Sequence, residues 1–167
     1  MNRLVPAAVS LAMAATAAAA RGDTRDGLPG AASCTLSSTP LAFGHYSPLS
    51  AAPSDFTATV TVTCGTSSPQ AVTIDGQLSL IGDPAERRLT SHDPLNGKLR
   101  YRLYLDPARS ILWGDGSGSG RAVPVVGTAS AGATFRRSVT IYGRLLARQR
   151  QAPTGQYGDD IQIAFDF

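Results

Sequence analysis

One segment of nine residues constrains the fold of this chain more than any other. From Phe56 to Cys64, every even-numbered residue is apolar or cysteine and every odd-numbered residue is threonine. Because successive side chains of a β-strand point to opposite faces, this pattern predicts a strand with one buried and one solvated face. Cys64 lies on the predicted buried face.

Similar alternation recurs further along the chain. The apolar residues in phase are Leu99, Tyr101, Leu103 and Leu105 in segment 98–106, Val139, Ile141 and Leu145 around Gly143, and Ile161, Ile163, Phe165 and Phe167 in segment 160–167. Weaker strands are predicted at 34–43 and 70–79, and turn-forming X-Pro pairs separate the runs. No convincing helical period follows the N-terminal segment, so the sequence predicts an all-β protein.

Six main strands suggest an immunoglobulin-like antiparallel β-sandwich that lacks its last strand, because that fold uses seven. An empty strand position would leave an apolar groove beside a sheet edge, which invites pairing with another chain. The final strand often borders the missing one. We therefore expect Ile161, Ile163, Phe165 and Phe167 to line the groove.

The N-terminus has the features of a secretion signal. Arg3 precedes an apolar, alanine-rich run from Leu4 to Ala20, and small residues end it. We predict a signal peptide over 1–20 with cleavage between Ala20 and Arg21. Removal of Arg3 would lower the formal net charge of +3 to +2, and a nearly neutral exported protein is not expected to bind nucleic acid.

Export determines how the two cysteines are interpreted. In an oxidising compartment, Cys34 and Cys64 are expected to form a structural disulfide. Closing a loop of about 31 residues would stabilise the fold by about 3.7 kcal/mol in the chain-entropy model. Free thiols and metal ligation are the alternatives, but the chain has no Cys-x-x-Cys, and its two histidines lack ligand-like spacing.

Several short motifs resemble chemical sites and are better explained structurally. His45 and His92 are expected in solvated turns, Asp106 and Asp115 are scattered carboxylates, and Trp113 is expected in the core. The glycine-rich run 114–120 reads as a hairpin loop, and the tripeptide 21–23 matches an integrin motif by chance. Six arginines are expected on ordinary solvent-exposed faces: Arg100, Arg102, Arg136, Arg137, Arg148 and Arg150. We predict no enzyme activity, no cofactor and no metal site.

The order of several motifs resembles the spore coat protein U domain. They are Cys34, Leu41-Ala42-Phe43-Gly44-His45-Tyr46, Val62-Thr63-Cys64, Arg87-Arg88-Leu89, Leu99-x-Tyr101-x-Leu103-Tyr104, Leu112-Trp113-Gly114-Asp115-Gly116, Val139-Thr140-Ile141-Tyr142-Gly143-Arg144-Leu145, Gln149, and Gly155-Gln156-Tyr157-Gly158-Asp159-Asp160-Ile161. The residues that carry the resemblance are expected to be structural: Phe43, Gly44, Tyr46, Tyr101, Trp113, Gly114, Tyr142, Gly143, Arg144, Gln149, Tyr157 and Asp159.

The resemblance implies a structural subunit of a surface pilus, active in adhesion and biofilm formation, that passes through the periplasm to the cell surface. Its partners would be a periplasmic chaperone, an outer-membrane usher and neighbouring subunits, without stable membrane insertion. A chaperone strand would complete the sandwich first, and the N-terminal strand of a neighbouring subunit would then replace it.

One segment departs from that pattern. A donor strand should alternate large apolar residues with other residues. Segment 21–33 contains a single large apolar residue, Leu28, and Pro29 follows it directly. We expect a flexible lead-in at 21–33 before a domain at 34–167, and a subunit that accepts a strand without offering a good one, as at a fibre tip. The alternative is a stand-alone carbohydrate-binding or adhesive module, which an exposed Trp113 would favour.

Overall fold

The computed structural model describes residues 8–9, 32–92 and 97–167, and over these residues the chain forms β-strands and no helix. The strands are β1 (Ala8–Val9), β2 (Ala32–Ser38), β3 (Gly44–His45), β4 (Ser54–Thr66), β5 (Val72–Leu80), β6 (Arg88–Ser91), β7 (Lys98–Tyr104), β8 (Val123–Ala129), β9 (Phe135–Leu145), β10 (Tyr157–Gly158) and β11 (Ile163–Asp166). The prediction of an all-β protein is confirmed.

The strands form two sheets. The larger has the order β2-β4-β9-β7-β6-β10, with the two-residue strands β1 and β3 beyond β10, and the smaller has the order β11-β5-β8. Every pairing is antiparallel except that of β1 with β10. β4 and β9 pair from Ser54↔Leu145 to Cys64↔Phe135 and form the centre of the larger sheet. The result is a two-sheet antiparallel sandwich.

The alternation in β4 determines which of its faces is buried. Val60, Val62 and Cys64 have no exposed surface and belong to one hydrophobic core shared with the smaller sheet. Most threonines point the other way. Thr61 is also buried, and its hydroxyl lies 3.0 Å from that of Ser138 on β9, which satisfies the polar group away from water.

The structure adds β6 and β8 to the six main strands expected. β6 has only four residues, too few to show a clear period. β8 contains Pro124 and Gly127, which interrupt its apolar pattern. Proline is tolerated there because β8 is an edge strand and need not donate every backbone hydrogen bond.

The expected strand boundaries also shift. The first extends over Ala32–Ser38 rather than 34–43, and Leu41 and Phe43 are buried outside regular strand. The final strand is shorter than 160–167, since β11 begins at Ile163. The predicted cleavage site at Ala20 and Arg21 and most of the lead-in 21–33 lie outside the described residues, although Ala32 and Ser33 belong to β2.

Candidate assembly surface

The free edge of β11 is the best candidate site for a strand supplied by another chain. β11 pairs with β5 from Ile163↔Leu80 to Asp166↔Gln77, and within the described residues no strand pairs with its other side. β2 is likewise at an edge, with β4 as its one strand partner among those residues. Each sheet of the sandwich therefore ends in an open strand.

The direction of the free backbone groups on β11 follows from one hydrogen bond. The amide of Ile81 donates to the carbonyl of Gln162 at 3.0 Å, so Gln162 directs its backbone groups toward β5. Successive residues of an antiparallel strand alternate between the two sides. Ile163 and Phe165 therefore present their N–H and C=O groups to the open edge, ready for main-chain pairing.

The four predicted groove residues share the inner face of this terminal segment. Ile161, Ile163 and Phe165 are 2, 6 and 5% exposed, and Phe167 is half-buried. The rings of Phe165 and Phe167 stack with centroids 5.2 Å apart. The structure thus brings the four together as part of the core, while the backbone edge beside them stays open; that they line a donor-strand groove remains a prediction.

β5 approaches β11 closely because residue 76 is glycine. A Cβ atom on Gly76 would lie 2.4 Å from the carbonyl oxygen of Asp166 and 2.7 Å from both Phe165 Cε2 and Phe167 Cβ. Real side chains do not make such short contacts. The absence of a side chain at Gly76 therefore allows the two phenylalanines to lie over β5.

The predicted disulfide between Cys34 and Cys64 is present. The two cysteines are directly opposite each other in the pairing of β2 with β4, with Cα atoms 4.0 Å apart. The bond ties the edge strand β2 to the centre of the larger sheet.

Phe43 and Gly143 from the family motifs meet in the core. The Phe43 ring contacts Phe56 and Tyr101 edge-on, at centroid distances of 5.5 and 5.6 Å, a favourable arrangement of aromatic rings. Gly143 leaves the space that Leu41 and Phe43 fill, since a Cβ there would lie 2.9 Å from Leu41. Gly44 follows Phe43 with a φ of 64°, which glycine adopts without strain.

Tyr46 and Gln149 hold the loop after β9. The Tyr46 hydroxyl donates to the carbonyl of Leu146 at 2.9 Å and accepts from the amide of Gln149 at 3.1 Å. The Gln149 side chain accepts from the amide of Arg100 at 2.6 Å and donates to its carbonyl at 3.0 Å. Gln149 thus hydrogen-bonds to β7 as a neighbouring strand would and fixes the loop against β7, beyond the end of β9.

Tyr101 and Asp159 join β7 to the segment before β11. The Tyr101 hydroxyl donates to Asp159 at 2.5 Å, and the guanidinium of Arg87 lies 3.9 Å from the same carboxylate. Burial, and then the Asp159 carboxylate, raise the pKa of the Tyr101 hydroxyl, so it remains a hydrogen-bond donor. Tyr157, also buried, donates to the carbonyl of Pro153 at 2.6 Å.

Trp113 lies in the core, as predicted. It has no exposed surface, and its indole N–H donates to the carbonyl of Leu78 at 3.3 Å. Gly114 follows, and its Cα would lie too close to Gly120 if that residue carried a Cβ. An exposed tryptophan, the feature that would favour a carbohydrate-binding module, is therefore not found at this position.

The remaining motif residues form an ion-pair cluster on the outer face of the larger sheet. Arg144 binds Asp55 through two hydrogen bonds of 2.7 Å across β9 and β4. Arg109 lies 3.3 Å from the same carboxylate and stacks 5.9 Å from the centre of the Tyr142 ring. The hydrogen bonds from Arg144 hold the pKa of Asp55 below its usual value of 3.8.

The residues considered for chemistry do not converge. Asp106 accepts hydrogen bonds from the amides of Ser110 and Ile111, and Asp115 accepts from Ser117, so both carboxylates organise their own turns. His45 and His92 are exposed on different segments. Within the described residues, no three potential ligands lie close enough to hold a metal ion, and no helix could cross a membrane.

Comparison with known proteins identifies the family. The model of the spore coat protein U domain matches residues 28–164, and the chain therefore belongs to this family. The family is one of exported structural subunits of chaperone–usher pili and is not known for enzymatic activity. A search of curated proteins finds no match.

Sequence reasoning missed two features of this surface. Nothing in the sequence around Gly76 marks this glycine as important, because its role depends on how closely β11 approaches β5. The open edge of β2 follows only from the sheet order. The motif residues Tyr46, Gln149 and Asp159 could be listed from the sequence, but which groups they join could not.

Proposed function

We propose that this chain is a secreted structural subunit of a surface pilus, assembled by a chaperone–usher system through donor-strand exchange. The observation that most supports this proposal is the free edge of β11 among the described residues. A strand added there would pair with the outward N–H and C=O groups of Ile163 and Phe165, and its inward side chains would pack near Phe167. This is recognition by β-augmentation, in which main-chain hydrogen bonds supply affinity and alternate side chains supply specificity.

Three further observations support this function. The family supplies pilus subunits in general. The disulfide suits an oxidising compartment, and the N-terminal sequence predicts export. If the signal peptide is removed, the mature chain begins at Arg21 and no longer contains β1.

We also propose that the subunit sits at a fibre tip or end. Only Leu28 among residues 21–31 is a large apolar residue, so the segment would fill few pockets in a neighbour's groove. A terminal subunit needs only to accept a strand.

The site of strand addition can be mapped by cysteine cross-linking. Gln162 is exposed and precedes β11, so Gln162→Cys leaves the core intact. In the periplasm of the native host, we expect it to cross-link to a cysteine placed along the chaperone strand, with register-dependent yield. Val126→Cys is the matched control, because Val126 is 64% exposed on β8, at the opposite edge of the same sheet.

The result that contradicts the proposal is equally specific. Cross-linking at residue 126 and none at residue 162 would show that the acceptor edge is that of β8 and not that of β11. A chaperone-free mature protein that is a stable monomer with cooperative unfolding would show that the sandwich needs no added strand.

A further inference from the structure

A depression on the larger sheet gathers five basic side chains. Arg88 on β6, Lys98 and Arg100 on β7, and Arg148 and Arg150 on the following loop line a space of about 630 Å³. All five are exposed. They make up one third of the fifteen lysines and arginines in a chain whose net charge is only +3, so positive charge is concentrated here. We call this surface the basic depression.

The strand register places like charges against each other. Arg88 and Arg100 are directly opposite in the pairing of β6 with β7, an arrangement that costs stability because the two cations repel. Lys98 lies two residues from Arg100, on the same face of β7. Repulsion within such a cluster is relieved when an anion binds between its members.

A second pair of opposed arginines shows how the fold neutralises such charges elsewhere. Arg102 and Arg144 are also directly opposite, on β7 and β9, but Arg144 donates two hydrogen bonds to the Asp55 carboxylate. In the basic depression, Arg88 has one exposed partner, Glu86, at 3.0 Å. Within residues 32–92 and 97–167, no carboxylate forms an ion pair with the other four cations.

The loop that carries two of the cations is fixed before any ligand binds. Gln149 lies between Arg148 and Arg150, and its side chain forms hydrogen bonds with both the backbone N–H and the backbone carbonyl of Arg100. The amide of Arg148 also donates to the carbonyl of Ser50 at 3.0 Å. The loop cations are therefore held beside those of the strands, which reduces the ordering cost of binding.

We propose that the basic depression binds an acidic polysaccharide by contacting the carboxylate groups of that polysaccharide. Four of the five cations are arginines, whose planar guanidinium matches a carboxylate in a bidentate manner. The five are spread over two strands and a loop, which suits a polymer with repeated charges better than a single small anion. Among the described residues, no aromatic side chain lines the depression, so these residues offer no platform for stacking the bases of a single-stranded nucleic acid.

This site is separate from the assembly surface. The basic depression is on β6, β7 and the loop after β9, whereas the open edge of β11 belongs to the other sheet. The polysaccharide could therefore bind while a donor strand occupies β11, and either proposal can fail without the other.

The test uses the exported protein as isolated, with any partner strand still bound. Binding of a fluorescent oligogalacturonate is measured by anisotropy at about 50 mM salt, where screening is moderate. We expect binding to the parent protein and none of a neutral dextran oligomer. Lys98→Gln/Arg100→Gln and Arg148→Asn/Arg150→Gln should each weaken binding about tenfold, equivalent to about 1.4 kcal/mol. The backbone φ of Arg148 is 58°. Asparagine is chosen as its replacement because asparagine tolerates this conformation.

The matched control removes the same charge elsewhere. Arg136→Gln/Arg137→Gln alters two exposed arginines of β9 outside the depression and should change affinity less than about twofold. Equal weakening by this control would overturn the proposal in favour of general charge attraction. Absence of oligogalacturonate binding would also overturn it, as would tighter binding of a single-stranded oligonucleotide with the same number of charges.

Discussion

At the scale of single residues, polar contacts connect segments that are far apart in sequence. Tyr46 and Gln149 are separated by 103 positions and share a hydrogen bond, and Asp55 and Arg144 are separated by 89. Each contact joins different elements of the larger sheet or its loops. Residues that the sequence could only mark as structural thus acquire specific roles in positioning the chain.

The ion pair of Asp55 with Arg144 gives a pH-dependent prediction. Because the folded state lowers the pKa of Asp55, the ionised carboxylate contributes stability above the usual value of 3.8, and this contribution is lost as the pH falls through the lower, folded-state pKa. Both side chains are about one third exposed, so we expect Asp55→Asn to cost only about 0.5–1 kcal/mol at pH 7.

Urea unfolding of the exported protein, isolated with its partner strand bound, measures this effect at several pH values. The difference between Asp55→Asn and the parent should shrink toward zero as the pH falls below the folded-state pKa of Asp55. Asp75→Asn is the control, since Asp75 is exposed on β5 with no ion pair among the described residues. A difference that stays constant with pH would rule out the carboxylate charge as its origin.

At the scale of elements, the position of β11 depends on its contact with β5. Within the part of the chain that the structure describes, its four residues pair with β5 alone, while Phe165 and Phe167 lie across Gly76. The strand beside the proposed acceptor edge is therefore held by a short backbone ladder and by close packing of two rings.

Substitution of Gly76 tests that packing. Gly76→Ala would place a methyl group against the backbone carbonyl of Asp166, which cannot move without shifting β11, so we expect a loss of about 1–3 kcal/mol. Gly65→Ala on β4 is the matched control, because its nearest contact would be Thr134 Cγ2 at 3.9 Å. Denaturant unfolding of both variants, each isolated with its partner strand bound, checks the prediction. An equal loss of stability in the two variants would show that β11 is free to adjust.

At the scale of the whole molecule, open edges and surface charge are distributed unevenly. Among the described residues, unpaired edges occur at β2 in the larger sheet and at β11 and β8 in the smaller. The disulfide secures β2 to β4, whereas within the described residues β11 has no covalent tie. Five of the fifteen lysines and arginines share one depression although the net charge is small.

Deletion of residues 21–31 tests whether this molecule only accepts a strand. The deletion spares β2, which begins at Ala32. We expect the shortened subunit to bind its chaperone and appear in fibres at the level of the parent, as measured by immunogold labelling and immunoblotting of sheared pili. A glycine/serine replacement of the same length controls for spacing. Complete loss of assembly in both variants would show that the segment donates a strand.

Much of the fold could be predicted from local pattern. The alternation in β4, β7 and β9 identified buried faces that the structure confirms, because a strand with one wet face must alternate. β8 was missed since Pro124 and Gly127 break its pattern, and edge strands tolerate such residues. Of the candidate site, the inward residues of the final strand and an open edge beside it were predicted, but the open edge of β2 depends on the order of strands.

Residue type and short-range period are enough to give the fold class, the cysteine pair and the faces of the long strands. The open edge of β2, the need for glycine at residue 76 and the shared surface of five basic residues follow from the tertiary fold alone; those residues are Arg88, Lys98, Arg100, Arg148 and Arg150. Those properties arise from contacts between segments distant in sequence, and no local pattern records which strands become neighbours.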